Sequence, residues 1–108
     1  MKRTLLLLWL ACCLSAPADA RQVTATVYDP WFHGRTTYCG QTYQHWHVSA
    51  AHPWLPCGSR LQITHQGRRL IVPVTDRCDC GSVDLSAGAA HRLGVPLNGT
   101  ATVRIQEL

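Results

Sequence analysis

The fold is organised around residues 74–86, VTDRCDCGSVDLS, which predict a strand, a turn and the start of a helix. The apolar run of residues 70–74 predicts a strand that delivers a carboxylate at Asp76, and the two cysteines that follow predict a pinned turn. A second carboxylate, Asp84, then leads into a short helix over residues 86–93, which a serine caps and a glycine ends. Two acids at the two ends of a constrained turn suit a site that cleaves sugar bonds, and they equally suit an ordinary turn and helix cap.

The first twenty residues have the pattern of a secretory signal. A basic start precedes the apolar residues 5–14, and Ala18-Asp19-Ala20 is a typical cleavage sequence. The apolar run is too short to span a bilayer. We therefore predict a signal peptide over residues 1–20 and a mature domain over residues 21–108 with no transmembrane segment, located in the periplasm or secreted. Anchoring as a lipoprotein through Cys12 or Cys13 is the weaker interpretation, because neither cysteine follows the usual run of small residues.

The composition of the mature part indicates one small exported domain, which we expect to be a monomer. Its four cysteines predict two disulfides rather than reactive thiols, because small exported domains need such cross-links; they are Cys39, Cys57, Cys78 and Cys80. Eight arginines, no lysine and five acids leave a net charge of about +3. This charge suits an anionic envelope polymer and predicts no nucleic-acid partner.

The order of apolar and polar residues predicts a small β-barrel. Alternating or β-branched strands are expected at residues 23–29, 48–52, 59–64, 69–74 and 99–105. Pro73 cannot donate to a ladder, so it should lie at a sheet edge or at a crossing of strands. A long polar and aromatic loop at residues 31–47 is tied down by a cysteine, as functional loops in small domains often are. Five or six strands with one short helix indicate a barrel.

Four short motifs resemble a known family, the rare lipoprotein A (RlpA-like) domain. They are FHGRTT (32–37), SAAH with LPCGSRL (49–61), VTDR (74–77) and VDLS (83–86), in the family's order and near its spacing. The resemblance covers residues 23–106 and implies a mainly β fold, a six-stranded double-psi β-barrel with one short helix, shared with barwin proteins and expansins. It also implies lytic transglycosylation of peptidoglycan glycan strands.

The same resemblance implies the catalytic residues. His52 and Asp76 match the family's histidine and acid, with His52 expected to orient Asp76 or to contact a sugar, and Asp84 matches an acid that matters in expansin-type domains. Gln41 replaces the family's glutamate. An amide has no titratable proton, so this replacement weakens a two-acid hydrolytic mechanism more than a lytic one that needs a single acid. We expect a lyase with Asp76 as acid/base.

Further residues are expected to bind the glycan or to cross-link the fold. Arg35, Arg77 and Gln41 are candidates for contacting it, and about half of five aromatic residues should line the groove for stacking on sugar rings: Tyr28, Trp31, Tyr38, Trp46 and Trp54. Barwin-like domains imply the disulfides Cys39–Cys78 and Cys57–Cys80. A Cys78–Cys80 bridge would close a very small ring and is not expected.

Plainer interpretations remain open for these residues. Asp76 and Asp84 could simply accept backbone hydrogen bonds, and His52 could be a structural histidine. The histidines of His45-Trp46-His47 invite a metal interpretation, but no acid or thiolate stands at zinc-ligand spacing, so we expect no metal and no cofactor. The alternative functions are a non-catalytic glycan-binding or expansin-like wall-loosening module, which Gln41 favours, and a protein-binding double-psi barrel.

Overall fold

The chain forms a closed barrel of six strands and one helix in the computed structural model, which describes residues 20–108. Residues 1–19 of the predicted signal peptide, with Cys12 and Cys13, lie outside the described residues. The strands are β1 (Arg21–Val27), β2 (Ala50–His52), β3 (Arg60–His65), β4 (Arg68–Arg77), β5 (Val83–Leu85) and β6 (Ala101–Glu107), in the order β1-β5-β2-β4-β3-β6. A 3₁₀ turn (Pro30–Phe32) follows β1, and helix α1 (Ala87–Leu93) follows β5. The expected six-stranded double-psi β-barrel with one short helix is confirmed.

Alternation along the strands fills the barrel interior with small and branched apolar side chains. In β3 and β4 the inward residues Leu61, Ile63, Val72 and Val74 are almost fully buried, and the residues between them face outward. Because the strands close on themselves, the barrel has no unpaired edge along its ladder. Within residues 20–108, no helix has the length and apolarity to span a membrane.

Strand β4 changes partners halfway along its length. Its first part pairs antiparallel with β3 as far as the pair Arg60 and Pro73, and its second part pairs parallel with β2 from Val74 onward. Pro73 therefore lies at the point of exchange, where the ladder donor that proline lacks is least needed. This is the crossing that the sequence predicted for the proline.

The disulfide pairing expected from the resemblance is wrong. The bonds are Cys39–Cys57, with Cα atoms 5.8 Å apart, and Cys78–Cys80, with Cα atoms 5.2 Å apart. Both distances lie within the usual range for disulfides. Cys78 and Cys80 reach each other because the turn after β4 folds back within three residues. The first bond ties the long loop to the corner before β3, and the second closes the turn between the two acids of the VTDRCDCGSVDLS stretch.

Candidate active site

The two acids lie in one row on the outer wall of the barrel. Strand pairing places Thr26 beside Asp84, Asp84 beside Ala51, and Ala51 beside Asp76. Residues paired across neighbouring strands point to the same face, so all four side chains leave the barrel together. Ala51, between the two carboxylates, is small and leaves the space in front of them free of its own side chain.

A β-bulge turns Asp76 outward. The register of β2 and β4 shifts between the pairs Ala50–Val74 and Ala51–Asp76, so Thr75 is an extra residue in β4. Strict alternation after the inward-facing Val74 would turn Asp76 into the core. The extra residue reverses that alternation and places the carboxylate on the outer wall.

Three donors hold the carboxylate of Asp76. The Tyr28 hydroxyl donates to Oδ2 at 2.7 Å, and the backbone N–H groups of Tyr38 and Arg77 donate to Oδ1 at 2.7 and 2.9 Å. The bond from the next residue's N–H is the local turn contact that a plain structural interpretation predicts. The other two come from the long loop and the end of β1. Asp76 therefore joins the loop to the barrel wall, and it does so as an acceptor at both oxygens.

Asp84 is held more loosely and is half-buried. Its Oδ1 accepts a hydrogen bond from the Thr26 hydroxyl at 2.9 Å. Burial raises the pKa of Asp84, the Thr26 bond partly offsets this shift, and the negative charge of Asp76 raises the pKa further. Asp84 is thus the acid of the pair that its surroundings favour in the protonated form.

Two stacked tyrosines cover the row from the side of the loop. The rings of Tyr28 and Tyr43 lie 4.3 Å apart and nearly parallel, and both pack on Ala51 and Cys78. The pKa of Tyr28 is raised, first by burial and then by its bond to Asp76, and burial raises that of Tyr43 to about 12. Both phenols are therefore neutral donors at physiological pH. Tyr28 is only 6% exposed, and its hydroxyl supports Asp76.

Ser86 fastens the end of this loop to the helix. Its buried hydroxyl donates to the carbonyl of His47 and accepts from the N–H groups of Ser49 and Ala89, so it caps α1 and anchors residues 47–49 at once. Gly88, in the next turn, lies against the carbonyl of Trp46, where any side chain would collide with the backbone. The helix and the loop are therefore built as one unit behind the site.

His52 is buried and serves the loop after β2. Its Nδ1 accepts from the N–H groups of Trp54 and Leu55 at 3.3 and 3.2 Å, and in residues 20–108 no hydrogen bond joins it to Asp76. Burial lowers its pKa, and the charges of Arg21 and Arg77 lower it further, which keeps the ring neutral. The predicted orientation of Asp76 by His52 is not a direct contact, and its ring instead shapes the turn that presents Trp54.

The predicted sugar-contacting arginines both lie against aromatic rings. The guanidinium of Arg35 is 3.3 Å from the ring centre of Trp31, and that of Arg77 is 4.9 Å from the ring centre of Tyr38. Arg77 also donates to the carbonyl of Leu55 at 2.7 Å, so much of its role is structural. Arg35 has its guanidinium on the exposed loop.

More of the aromatic residues face solvent than the sequence predicted. Four of the five are more than 60% exposed, and Tyr28 alone is buried; the four are Trp31, Tyr38, Trp46 and Trp54. Exposed rings in a domain this small are unusual unless they bind something. All four lie on loops and not on strands, and Tyr38 is the one whose backbone contacts Asp76.

Gln41 lies in the loop turn that contacts Asp76. Its N–H donates to the Thr37 hydroxyl and its carbonyl accepts from the Thr37 N–H, and Tyr38, which donates to Asp76, lies inside this turn. The exposed side chain of Gln41 lines a cavity of about 190 Å³ together with Thr75, the neighbour of Asp76. The turn of the loop that contains Gln41 therefore lies beside Asp76.

Two histidines of the loop, His33 and His45, are engaged in hydrogen bonds within it. Tyr43 Oη and His45 Nδ1 are 2.8 Å apart, and His45 N–H donates to His33 Nδ1 at 3.1 Å. Across residues 20–108, no three His, Cys, Asp or Glu side chains are grouped so that they could hold a metal ion.

The contact between Tyr28 and Asp76 gives a first testable prediction. Tyr28→Phe keeps the stacked ring and removes only the hydroxyl that donates to Oδ2. We expect an activity that depends on the position of Asp76 to fall about tenfold, because Asp76 loses one of the three donors that orient it, while the unfolding midpoint falls by only a few degrees. Activity assays and thermal melts on both proteins measure this. Unchanged activity would mean that the remaining two donors suffice.

The fold and the site define a double-psi β-barrel domain with a pair of carboxylates on its outer wall. The family model for lytic transglycolases matches residues 24–105, and the chain belongs to this family. Sequence reasoning found both carboxylates and the Ser86 cap, which the structure confirms, but not the roles of Thr26 and Tyr43 or the bonds from Ser86 to the loop. Only the alternation of β1 hinted at the outward position of Thr26, and no sequence pattern indicated the others.

Relatives and solved structures agree with this assignment. The chain is 41% identical over 87 residues to an uncharacterized protein of Synechocystis, covering 79% of this chain and 96% of that protein. It is 40% identical over 88 residues to the endolytic peptidoglycan transglycosylase RlpA of Pseudomonas aeruginosa, covering 77% of this chain but only 26% of that protein. The chain thus spans about a quarter of that transglycosylase.

The structural neighbours share the fold at low sequence identity. The Streptomyces papain inhibitor superposes with a TM-score of 0.70 at 23% identity, covering 86% of this chain and 97% of the inhibitor. A Clavibacter michiganensis expansin mutant in complex with cellohexaose superposes with a TM-score of 0.68 at 20% identity, covering 82% of this chain and 50% of the expansin. Both confirm the barrel architecture.

Proposed function

We propose that this domain is exported and cleaves peptidoglycan glycan strands by lytic transglycosylation. The row of Asp84, Ala51 and Asp76 on the outer wall carries the proposal, because it places a proton-holding acid and an acceptor carboxylate, both only partly buried, side by side. Membership of the lytic transglycolase family supports it, as do relatives named as endolytic peptidoglycan transglycosylases. Two disulfides in a small domain support an oxidising compartment outside the cytoplasm.

Asp84 is the proton donor in the proposed reaction. It transfers its proton to the glycosidic oxygen as the bond from the anomeric carbon to that oxygen breaks. A hydroxyl of the same sugar then attacks the anomeric carbon and its proton passes to the Asp84 carboxylate, which closes an anhydro ring and restores the acid. No water is consumed, so one titrating group is sufficient, and Gln41 does not need to be an acid.

Asp76 stabilises the positive charge that develops on the sugar ring. The sequence analysis expects Asp76 to be the acid/base residue. In the structure, however, three donors bond to its two oxygens, so both oxygens act as acceptors. A carboxylate fixed in this way acts by its charge and position, and fixed charges near the developing charge of the transition state are a large contribution to catalysis. The division of roles therefore favours Asp84 as the acid and Asp76 as the electrostatic partner.

The exposed aromatic residues bind the glycan on either side of the acids. Trp54, presented by the turn that His52 holds, and Trp31, stacked under Arg35, offer flat surfaces for sugar rings. Arg35 can also donate to a sugar carboxylate. His52 thus acts on the substrate through Trp54.

The proposed reaction is tested with purified residues 21–108 on peptide-free peptidoglycan glycan. Mass spectrometry should detect chains that end in an anhydro sugar, which hydrolysis does not produce. Products that carry an added water would replace the lytic mechanism by a hydrolytic one. No product from any glycan would exclude both.

A glycan-binding module without chemistry is the second candidate. Gln41 in place of the family's glutamate and the four exposed aromatic side chains favour it. It predicts that binding to isolated cell-wall sacculi survives both Asp76→Asn and Asp84→Asn with no product at any time. The product assay above therefore separates the two candidates.

Gln41→Glu tests whether the site is a weakened catalyst. The change is nearly isosteric and the side chain is exposed, so stability should change little. A carboxylate beside Thr75 would add negative charge near Asp76 and Asp84. The three neighbouring carboxyl groups should then hold a proton to a higher pH, because like charges repel. We expect release of anhydro products to rise roughly tenfold.

The matched control is the double variant Gln41→Glu/Asp84→Asn. It should be as inactive as Asp84→Asn alone, because the new carboxylate assists the proton donor and does not replace it. A folded Gln41→Glu protein that is no faster than the wild type would favour the binding module.

A further inference from the structure

The barrel has a second outer surface, which uses the first half of β4, where the strand pairs with β3, whereas Asp76 lies in the second half, where the strand pairs with β2. This surface is formed by outward-facing residues of the adjacent strands β4, β3 and β6, and we call it the arginine face: Arg60, Gln62, Thr64, Arg69, Arg104 and Gln106. The pairing places Thr64 between Arg69 and Arg104, and Gln62 next to Gln106. Because the alternating residues of these strands are the buried core, these side chains are fixed in their outward direction.

The arginine face is positively charged and contains no acid. Of the five carboxylates in residues 20–108, three lie outside β3, β4 and β6, Asp76 lies in the part of β4 that pairs with β2, and Glu107 is paired with the inward-facing Leu61. Arg69 and Arg104 are exposed and lie two strand spacings apart, roughly 9–10 Å between their backbones. An exposed sheet face would normally mix both signs of charge, and this one does not.

The face also carries hydrogen-bonding side chains, beside one exposed apolar residue, Ile71, which pairs with Gln62. Thr64, Gln62 and Gln106 present hydroxyl and amide groups between the arginines. Guanidinium groups bind carboxylates in bidentate geometry, and hydroxyl and amide groups bind sugar hydroxyls and acetamido groups. A flat row of both kinds is complementary to an extended polymer that carries both, and it offers no pocket for a small molecule.

We propose that the arginine face binds a second segment of a carboxylate-bearing glycan strand of the cell wall. The choice of this polymer rests on the proposed function, whereas the charge requirement rests on the face alone. A second copy of the chain is a poor occupant, because a symmetric interface would bring the same arginines together. The barrel would then lie between two glycan segments, one at the acids and one on the arginine face.

Binding and cleavage are measured separately to test this proposal. Binding is measured by titration calorimetry at low salt in an Asp84→Asn background, with peptide-free glycan chains whose carboxylates are free or converted to amides. The test variant is Arg69→Gln/Arg104→Gln, and the matched control is Arg92→Gln, which removes an exposed arginine from α1. Cleavage is measured in the wild-type background on short soluble glycan oligomers.

The expected result is a loss of affinity specific to the face. The double variant should bind the free-carboxylate chains about 2- to 30-fold more weakly, the range for two exposed ion pairs, while Arg92→Gln binds like the parent. Amidated chains should show no difference between the proteins, and cleavage of short oligomers should be unchanged.

Three outcomes would overturn the proposal. They are equal affinities of the double variant and Arg92→Gln, equal binding of free and amidated chains, and tighter binding of poly(glycerol phosphate) or phosphatidylglycerol vesicles than of glycan. The last would assign the face to a phosphate polymer or a membrane. Binding is measured without cleavage, so the two proposals can fail separately. If no glycan is cleaved, the proposed function is wrong, and the titration still decides whether the arginine face requires carboxylates on its ligand.

Discussion

Asp84→Asn is expected to reduce the release of anhydro products by about 10²- to 10⁴-fold while the domain stays folded. The amide cannot donate a proton to the glycosidic oxygen, and this range is what positioned acid–base groups typically contribute. The structure around residue 84 should persist, because the amide oxygen can still accept from the Thr26 hydroxyl. Initial rates on peptide-free glycan and circular dichroism of both proteins measure the two effects.

The same variant should be more stable than the wild type at neutral pH. The folded-state pKa of Asp84 is raised, so the folded chain keeps this proton to a higher pH than the unfolded chain does. Stability is therefore lost as pH rises from the unfolded pKa, about 3.9, through the folded one, and asparagine lacks this loss. Denaturant midpoints should be similar at pH 3 and should diverge in favour of Asp84→Asn as the pH is raised.

Asp76→Asn is the matched comparison for the proton-donor role. This substitution also removes a charge from the row, but it leaves Asp84, whose pKa is raised, in place. In the wild type, activity should fall as pH rises through the pKa of Asp84, and Asp76→Asn should retain such a fall at a lower overall rate. If Asp76→Asn removes the pH dependence and Asp84→Asn does not, the proposed roles are reversed.

Ser86→Ala should produce the largest loss of stability of the substitutions considered. The helix cap contributes about 0.5–2 kcal/mol, and leaving the buried Ser49 N–H without its acceptor adds about 1–3 kcal/mol. For a domain of this size, the sum corresponds to a fall in Tm on the order of 10–20 °C. Differential scanning calorimetry measures this directly.

Ser59→Ala is the control for Ser86→Ala. The Ser59 hydroxyl also donates to a backbone carbonyl, that of Pro56, but in an exposed corner where water can replace it. Its Tm should change by less than a few degrees. Similar losses for both serines would mean that the connection between α1 and the loop contributes no more than a surface hydrogen bond.

The barrel could be predicted from sequence because its local signals agree. The β-branched alternation of β1, β3 and β6, the turn before Arg68 and the Ser86 cap each indicate the element that forms. Pro73 was informative for the same reason, since a residue without an N–H restricts where a strand can pair. The two acids could be located because they flank a turn that the cysteines mark.

The features that sequence did not reveal depend on contacts between distant residues. β5 has only three residues and forms because β1 and β2 lie on either side of it. The disulfide Cys39–Cys57 depends on where the long loop comes to rest, and that is decided by Tyr38 and Ser86. The stack of Tyr28 and Tyr43, fifteen positions apart, has no periodic signal at all. The burial of His52 and Tyr28 and their hydrogen-bond partners could not be predicted, because residue type alone does not decide which rings a long loop covers.

The bulge at Thr75 makes this wall of the barrel sensitive to how β4 pairs with β2. A chain of the same length that paired in regular register after Val74 would present Asp76 to the apolar interior, although every residue of the motif were kept. The turn between the acids, closed by its own disulfide, is free of such a parity constraint. Changes of length in related chains should therefore be tolerated between Arg77 and Val83, whereas a chain that keeps one residue between its Val74 and Asp76 positions should also keep the bulge, so that strand register, as much as composition, distinguishes a competent member from a barrel that only resembles one.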